Sequence, residues 1–146
     1  MKRAVLALTA VLTALTLSAC GGSESYADGV YEGKSEVFIA DDGTEQGNGY
    51  GVATVTIEGG VITDCTFKTY TPDGIEKDEE YGKGNGEIKN RDYYNKAQKA
   101  VAACQEYANM LVANGGTNGI DAISGATKNY DQFLGAVDDA LSQARI

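Results

Sequence analysis

The sequence predicts an α+β domain in which an antiparallel sheet with a central hairpin packs against one long helix and a C-terminal helix. Three observations carry that expectation. In YGVATVTIEGGVITDCTFKTY, residues 50–70, apolar and hydroxyl side chains alternate up to Gly59-Gly60, a tight-hairpin signal, and a second β-prone run follows. After Asp92 the apolar residues return at helical spacing, and they do so again from Tyr130 to the C-terminus. A chain of 146 residues with 42% hydrophobic and 23% charged content suits one ordinary domain.

The chain opens with MKRAVLALTAVLTALTLSAC: Lys2 and Arg3, an apolar run, then small residues. This is the pattern of a secretory signal, and its apolar run of about fourteen residues is shorter than the roughly twenty a membrane-spanning helix needs. The closing LSAC, residues 17–20, resembles the bacterial lipobox, which implies cleavage before Cys20 and attachment of a diacylglyceryl group to its sulfur. The expected organisation is therefore a signal peptide over 1–19, a lipidated Cys20 with a flexible Gly/Ser tether to residue 27, and a folded domain over 28–146. Without Lys2 and Arg3 the mature chain keeps ten basic and twenty-one acidic side chains, a charge of −11 that disfavours adsorption to anionic lipid heads. The lipid then has to hold the protein at an extracytoplasmic membrane surface.

The domain is expected to begin with a turn and strand in DGVYEGKSEVF, residues 28–38, followed by a polar loop over 40–49. Ala53, Val55 and Ile57 form the buried set of the next strand. On the return strand Ile62, Cys65 and Phe67 break the two-residue period, so a β-bulge at Thr63 or Asp64 is expected to restore the phase. Residues 71–92, charged and rich in glycine, read as an exposed loop, and a long loop of this kind can also serve a ligand site. Tyr94, Ala97, Val101, Cys104, Ala108 and Leu111 then define one face of a helix, with Asp92 as its N-cap and Gly115-Gly116 as its stop. Tyr130, Phe133, Leu134, Val137 and Leu141 define the face of the last helix. Cys65 and Cys104 both fall in buried sets, where free core thiols are the expectation and a disulfide the alternative.

Composition narrows the chemistry. The net charge of −9 comes with no concentrated basic patch, so nucleic acid is not an expected partner. With no histidine in the chain, neither a histidine-ligated zinc nor a Ser-His-Asp triad is available. One stretch stands out: in GIDAISGATKNYDQF, residues 119–133, Ser124, Gly125, Ala126 and Thr127 lead straight into the last helix. A helix start offers unpaired N–H groups and the positive end of the macrodipole, which together attract phosphate, and small side chains leave the approach open. A tight turn with Ser124 or Thr127 as N-cap accounts for the same residues.

The string DAISGAT, residues 121–127, resembles the flavinylation motif of the FMN-binding domain family, in which FMN is joined through its phosphate to the final threonine. DGVYEGKS resembles the family's opening strand, and GYGVATVTIEGGVITDCTF its central hairpin. YTPDG, KDEEYGK and SGATKNYDQF are similar to a lipoprotein branch in which some signal peptides release pheromone octapeptides. The family includes the flavin subunits of sodium-pumping quinone reductases.

The resemblance implies that Thr127 accepts FMN from FAD through a magnesium-dependent flavin transferase. Asp121 then helps that enzyme recognise the motif, and Ser124, Gly125 and Ala126 keep the loop close to the flavin. Lys128, Asn129 and Tyr130 depart from the small or hydroxyl residues of the subunit branch. With no tryptophan, the nine tyrosines and three phenylalanines have to supply the flat surface for the ring, and Tyr130 is the nearest in sequence to Thr127. The implied function is an electron carrier between a membrane donor, such as a quinone or NADH dehydrogenase system, and an external acceptor. A non-covalent FMN binder and a flavin-free binding or scaffold lipoprotein are the alternatives.

Overall fold

The computed structural model describes residues 24–146; the expected signal peptide, Cys20 and the start of the tether lie outside the described residues. Its elements follow in the order β1 (Gly29–Lys34), β2 (Tyr50–Glu58), β3 (Val61–Tyr70), α1 (Arg91–Asn114) and α2 (Thr127–Ala144). The three strands form one antiparallel sheet in the order β1-β2-β3, so the expected α+β class and central hairpin are both present. Gly59 and Gly60 make the hairpin turn at φ 61° and 74°, a pair of left-handed conformations that glycine adopts at little cost. The register shifts between Thr56 and Ile57, whose partners are Asp64 and Ile62; Thr63 is the residue left over, and the bulge brings Ile62, Cys65 and Phe67 onto one face.

That face packs against both helices. Ala53, Val55 and Ile57 are fully buried beneath α2, and α1 covers β3. A close approach makes this possible: a Cβ on Gly33 of β1 would stand 2.1 Å from the Ala136 carbonyl oxygen and 2.2 Å from the Ala140 nitrogen. Glycine on the strand facing alanines on the helix therefore sets the sheet-to-α2 distance. The outer face carries Lys34 over the ring of Tyr50, which itself stacks on Tyr70 with centroids 5.4 Å apart. Phe133 is the hub of the core, stacked on Tyr107 and edge-on to Phe67.

The cap of α1 is Asn90, whose Oδ1 accepts from the Tyr93 N–H at 3.0 Å; Asp92, the expected cap, sits inside the first turn, where its charge still complements the helix dipole. Gly115 ends the helix in the left-handed conformation at φ 69°. Cys65 and Cys104 are buried as free thiols.

Burial, aided by the neighbouring Asp64 charge, pushes the Cys65 thiol up to about 12. The folded chain thus keeps protonated a thiol that the unfolded chain ionises. Its contribution to stability is intact below about pH 9 and is lost as the pH rises toward about 12. Tyr81, also raised to about 12 mainly by burial, acts in the same direction. Denaturant unfolding under reducing conditions is expected to show this alkaline loss, with a shallower slope in Cys65→Ala.

Candidate functional site

The start of α2 is built by a turn whose Ala126 N–H donates to the Ile123 carbonyl at 2.9 Å, with Gly125 at φ 83°. Ala126 is the N-cap residue and supplies no side-chain bond, so neither Ser124 nor Thr127 caps this helix. The first amide to find a partner within it is that of Tyr130, bonded to the Ala126 carbonyl at 3.0 Å. The amides ahead of it stay open at the positive end of an eighteen-residue helix, with the exposed Thr127 as its first residue.

Tyr107 of α1 holds this turn from below. Fully buried, it donates its hydroxyl to the Ala126 carbonyl at 3.1 Å and accepts the Ile123 N–H at 2.8 Å.

Beside the helix start lies a cavity of about 290 Å³. Gly125, Ala126, Thr127, Lys128 and Asn129 form one wall, and Ala97, Ala100 and Val101 of α1 form an apolar floor. Gln46 and Gly47 close it from the polar loop, held there by Gln132, which donates to the carbonyls of Gly47 and Gly49 at 3.1 Å each. Thr69, Lys77 and Tyr81 complete the far side. Asn129 is buried, donating to the Ala100 carbonyl at 3.0 Å and to Cys104 Sγ at 3.3 Å.

Lys77 is an unusual member of this lining, because its side chain is charged and the residue is only 7% exposed. Its Nζ donates to the Asn48 carbonyl at 2.6 Å and stands 5.0 Å from the centroid of the Tyr81 ring. Burial pulls its pKa below the usual lysine range. Among the described residues Lys34, Lys77, Lys96 and Lys99 have no carboxylate partner, and of these Lys77 alone is buried.

Of the residues singled out in the sequence, Gly125, Ala126 and Thr127 line the cavity together. Asp121 and Ser124 are exposed on the approach to the turn and do not line it. Tyr130 points elsewhere: its hydroxyl donates to the Ile120 carbonyl at 2.8 Å and its ring packs on Tyr107. The aromatic residue in the lining is Tyr81, from the segment read as an exposed loop. Tyr81 was among the tyrosines expected around the sheet edge and loop as candidates for the ring surface, whereas Lys77, Thr69 and Asn129 were not anticipated as site residues. Only the loop's length hinted at Lys77.

The sequence model of the FMN-binding domain matches residues 47–142, more than half of the chain. The chain belongs to the FMN-binding domain family. The match spans the hairpin, both helices and the Asp121–Thr127 motif, and begins after β1. No curated protein matches this FMN-binding domain. Among solved structures it is similar to the CPE2226 protein from Clostridium perfringens, at 21% identity over 82% of this chain and 88% of that one, with a TM-score of 0.57. That likeness is one of fold.

FMN is thus the cofactor of this domain, and the residues present suit it. The open helix amides would suit an anionic phosphate, the alanine floor and Tyr81 a flat ring, and Thr69 and Asn129 its polar atoms. The cavity is at the small end of ligand pockets, which run from about 300 Å³ upward.

Proposed function

We propose that this protein is a lipid-anchored extracytoplasmic flavoprotein that carries FMN covalently on Thr127 and passes electrons between a membrane donor and an external acceptor. The observation that carries the reading is the position of Thr127: an exposed hydroxyl on the first residue of an uncapped helix, at the edge of the cavity. A phosphoester there lies against the open amides and the helix dipole. In the loading step a flavin transferase joins Thr127 Oγ1 to the FMN phosphorus of FAD; the pyrophosphate bond breaks and AMP leaves with the hydroxyl proton. When bound, the flavin supplies the one- and two-electron chemistry, while the chain orients the ring and shields one side of it from water.

The anchor reading has a geometric consequence. Tyr26 bridges to Arg145 at the far end of α2, and eighteen residues at about 1.5 Å each put that point roughly 27 Å from Thr127. Tyr26 thus lies at the end of the domain opposite Thr127, which leaves the flavin end clear of the tether's attachment point. Covalency suits such a location, because a tethered cofactor needs no affinity to be retained.

The test is expression of an exported, lipid-free form together with a flavin transferase, followed by denaturing electrophoresis. Flavin fluorescence that stays with the protein band supports the reading. Flavin released on denaturation points to non-covalent binding, and a colourless protein to a scaffold.

A further inference from the structure

The flavin reading leaves the buried cation unexplained. An ammonium withdrawn from water without an opposite charge is costly, and chains either pair such a group or neutralise it. Here the polar contact of Lys77 is a single carbonyl, that of Asn48. The titratable group that acts on it is the Cys104 thiol, which burial holds protonated and which therefore brings no negative charge. Yet Lys77 sits in the wall of the cavity that abuts Thr127. A cation kept in a dry wall, unpaired on its own side, is arranged for an anion that arrives with the ligand.

FMN brings two sites of negative charge. The phosphate is fixed at Thr127, on the exposed rim, where the open helix amides stand ready for it. A second cation is already at that rim: a side-chain carbon on Gly125 would meet the Lys99 Nζ at 3.6 Å, and Lys99 is exposed. Lys77 stands on the other side of the cavity, its backbone N–H bonded to the Thr69 carbonyl at the end of β3 and its ammonium against the Tyr81 ring. The ribityl chain separates phosphate from ring, so the group that reaches this inner wall is the ring.

Resting on the flavin reading above, we propose that Lys77 is a positioning and tuning residue whose ammonium faces the pyrimidine edge of the isoalloxazine, where negative charge collects on reduction. Tyr81 supplies the flat neighbour that keeps ring and ammonium in register. The oxidised ring is neutral at that edge and the reduced ring is not, so a fixed cation there favours the reduced form.

The experiment compares the flavin-loaded wild type with Lys77→Met and, as a control at an exposed lysine outside the cavity lining, Lys89→Met. Each is reduced with dithionite against a reference dye, after covalent flavin has been checked on a denaturing gel. A charge-assisted contact of about 1.5 kcal/mol or more corresponds to at least a tenfold fall in the reduced-to-oxidised ratio at fixed potential. For two electrons that is about 30 mV toward lower potential. Lys77→Met is expected to show it, and Lys89→Met to keep the wild-type value. Equal potentials in wild type and Lys77→Met, with flavin present in both, overturn the proposal and leave the flavin reading standing. A wild type that takes up no flavin ends both. Should Lys77→Met not fold, nitrogen NMR of the wild type decides the matter: the Lys77 ammonium resonance is expected to move when the flavin is reduced. A resonance that stays in place on reduction overturns the assignment to the ring.

Discussion

Thr127→Ala is expected to leave the chain folded and entirely without covalent flavin, even when the transferase is abundant. The two halves of that expectation have separate physical grounds. Thr127 is exposed and opens α2, whose cap residue is Ala126, so the loss of its side chain removes neither core packing nor a helix cap. Such a surface change costs roughly 0.5 kcal/mol or less. The hydroxyl, by contrast, is the atom to which the phosphorus is joined, and nothing can substitute for it at the same distance from the open amides. Thr127→Ser restores an oxygen at the same carbon and is expected to recover labelling, at a rate lowered by the freer rotamer of serine. Circular dichroism reports the first half, and flavin fluorescence in a denaturing gel the second. A Thr127→Ala protein that stays fluorescent places the attachment elsewhere.

The second large effect is expected at Tyr107, because it is at once a core residue and the support of the flavin turn. Tyr107→Ala empties a site that is fully buried between Phe133 and Tyr130. Removing a large aromatic side chain from a core costs about 3–5 kcal/mol, a large share of the roughly 5–15 kcal/mol that holds a domain together. Tyr107→Phe isolates the polar part. It keeps the ring but orphans the Ile123 amide and leaves the Ala126 carbonyl with the Tyr130 amide as its remaining donor, at a cost of about 1–3 kcal/mol. Thermal unfolding of both variants measures these costs. Labelling kinetics add what stability alone does not: the turn from Ile123 to Ala126 loses its anchor in Tyr107→Phe, so flavin transfer is expected to slow in a protein that remains folded. Unchanged labelling in Tyr107→Phe means that the turn holds its shape without α1.

Much of this architecture is local, and the local parts were legible. Gly59-Gly60 declares its turn through the backbone conformations only glycine takes easily. The bulge at Thr63 follows from a phase slip that any one-sided sheet must repair. The Asp121–Thr127 motif is contiguous, so its three cavity residues needed no long-range information. Other features depended on partners far along the chain. Lys77 and Tyr81 lie in a segment with no period, and their burial comes from β3, α1 and the 46–49 loop closing around them. Tyr130 was the aromatic residue nearest Thr127 in sequence, but its hydroxyl is taken by the Ile120 carbonyl and its ring by Tyr107, neither adjacent in sequence. The alanine row of α2 that meets Gly33 was passed over because alanine is as common on helix surfaces as in cores. Asn90 and Asp92 are both good caps, and only the observed chain path selects between them.

The proposed role as a covalent flavin carrier rests on one bond, between Thr127 and FMN. The most direct test is the intact mass of the exported domain after loading and denaturation, followed by fragmentation of the peptide that contains residues 119–133. The account predicts the mass of FMN less one water, located on Thr127 by the fragments. An unshifted mass, or the same addition on Ser124 or any other residue, contradicts it.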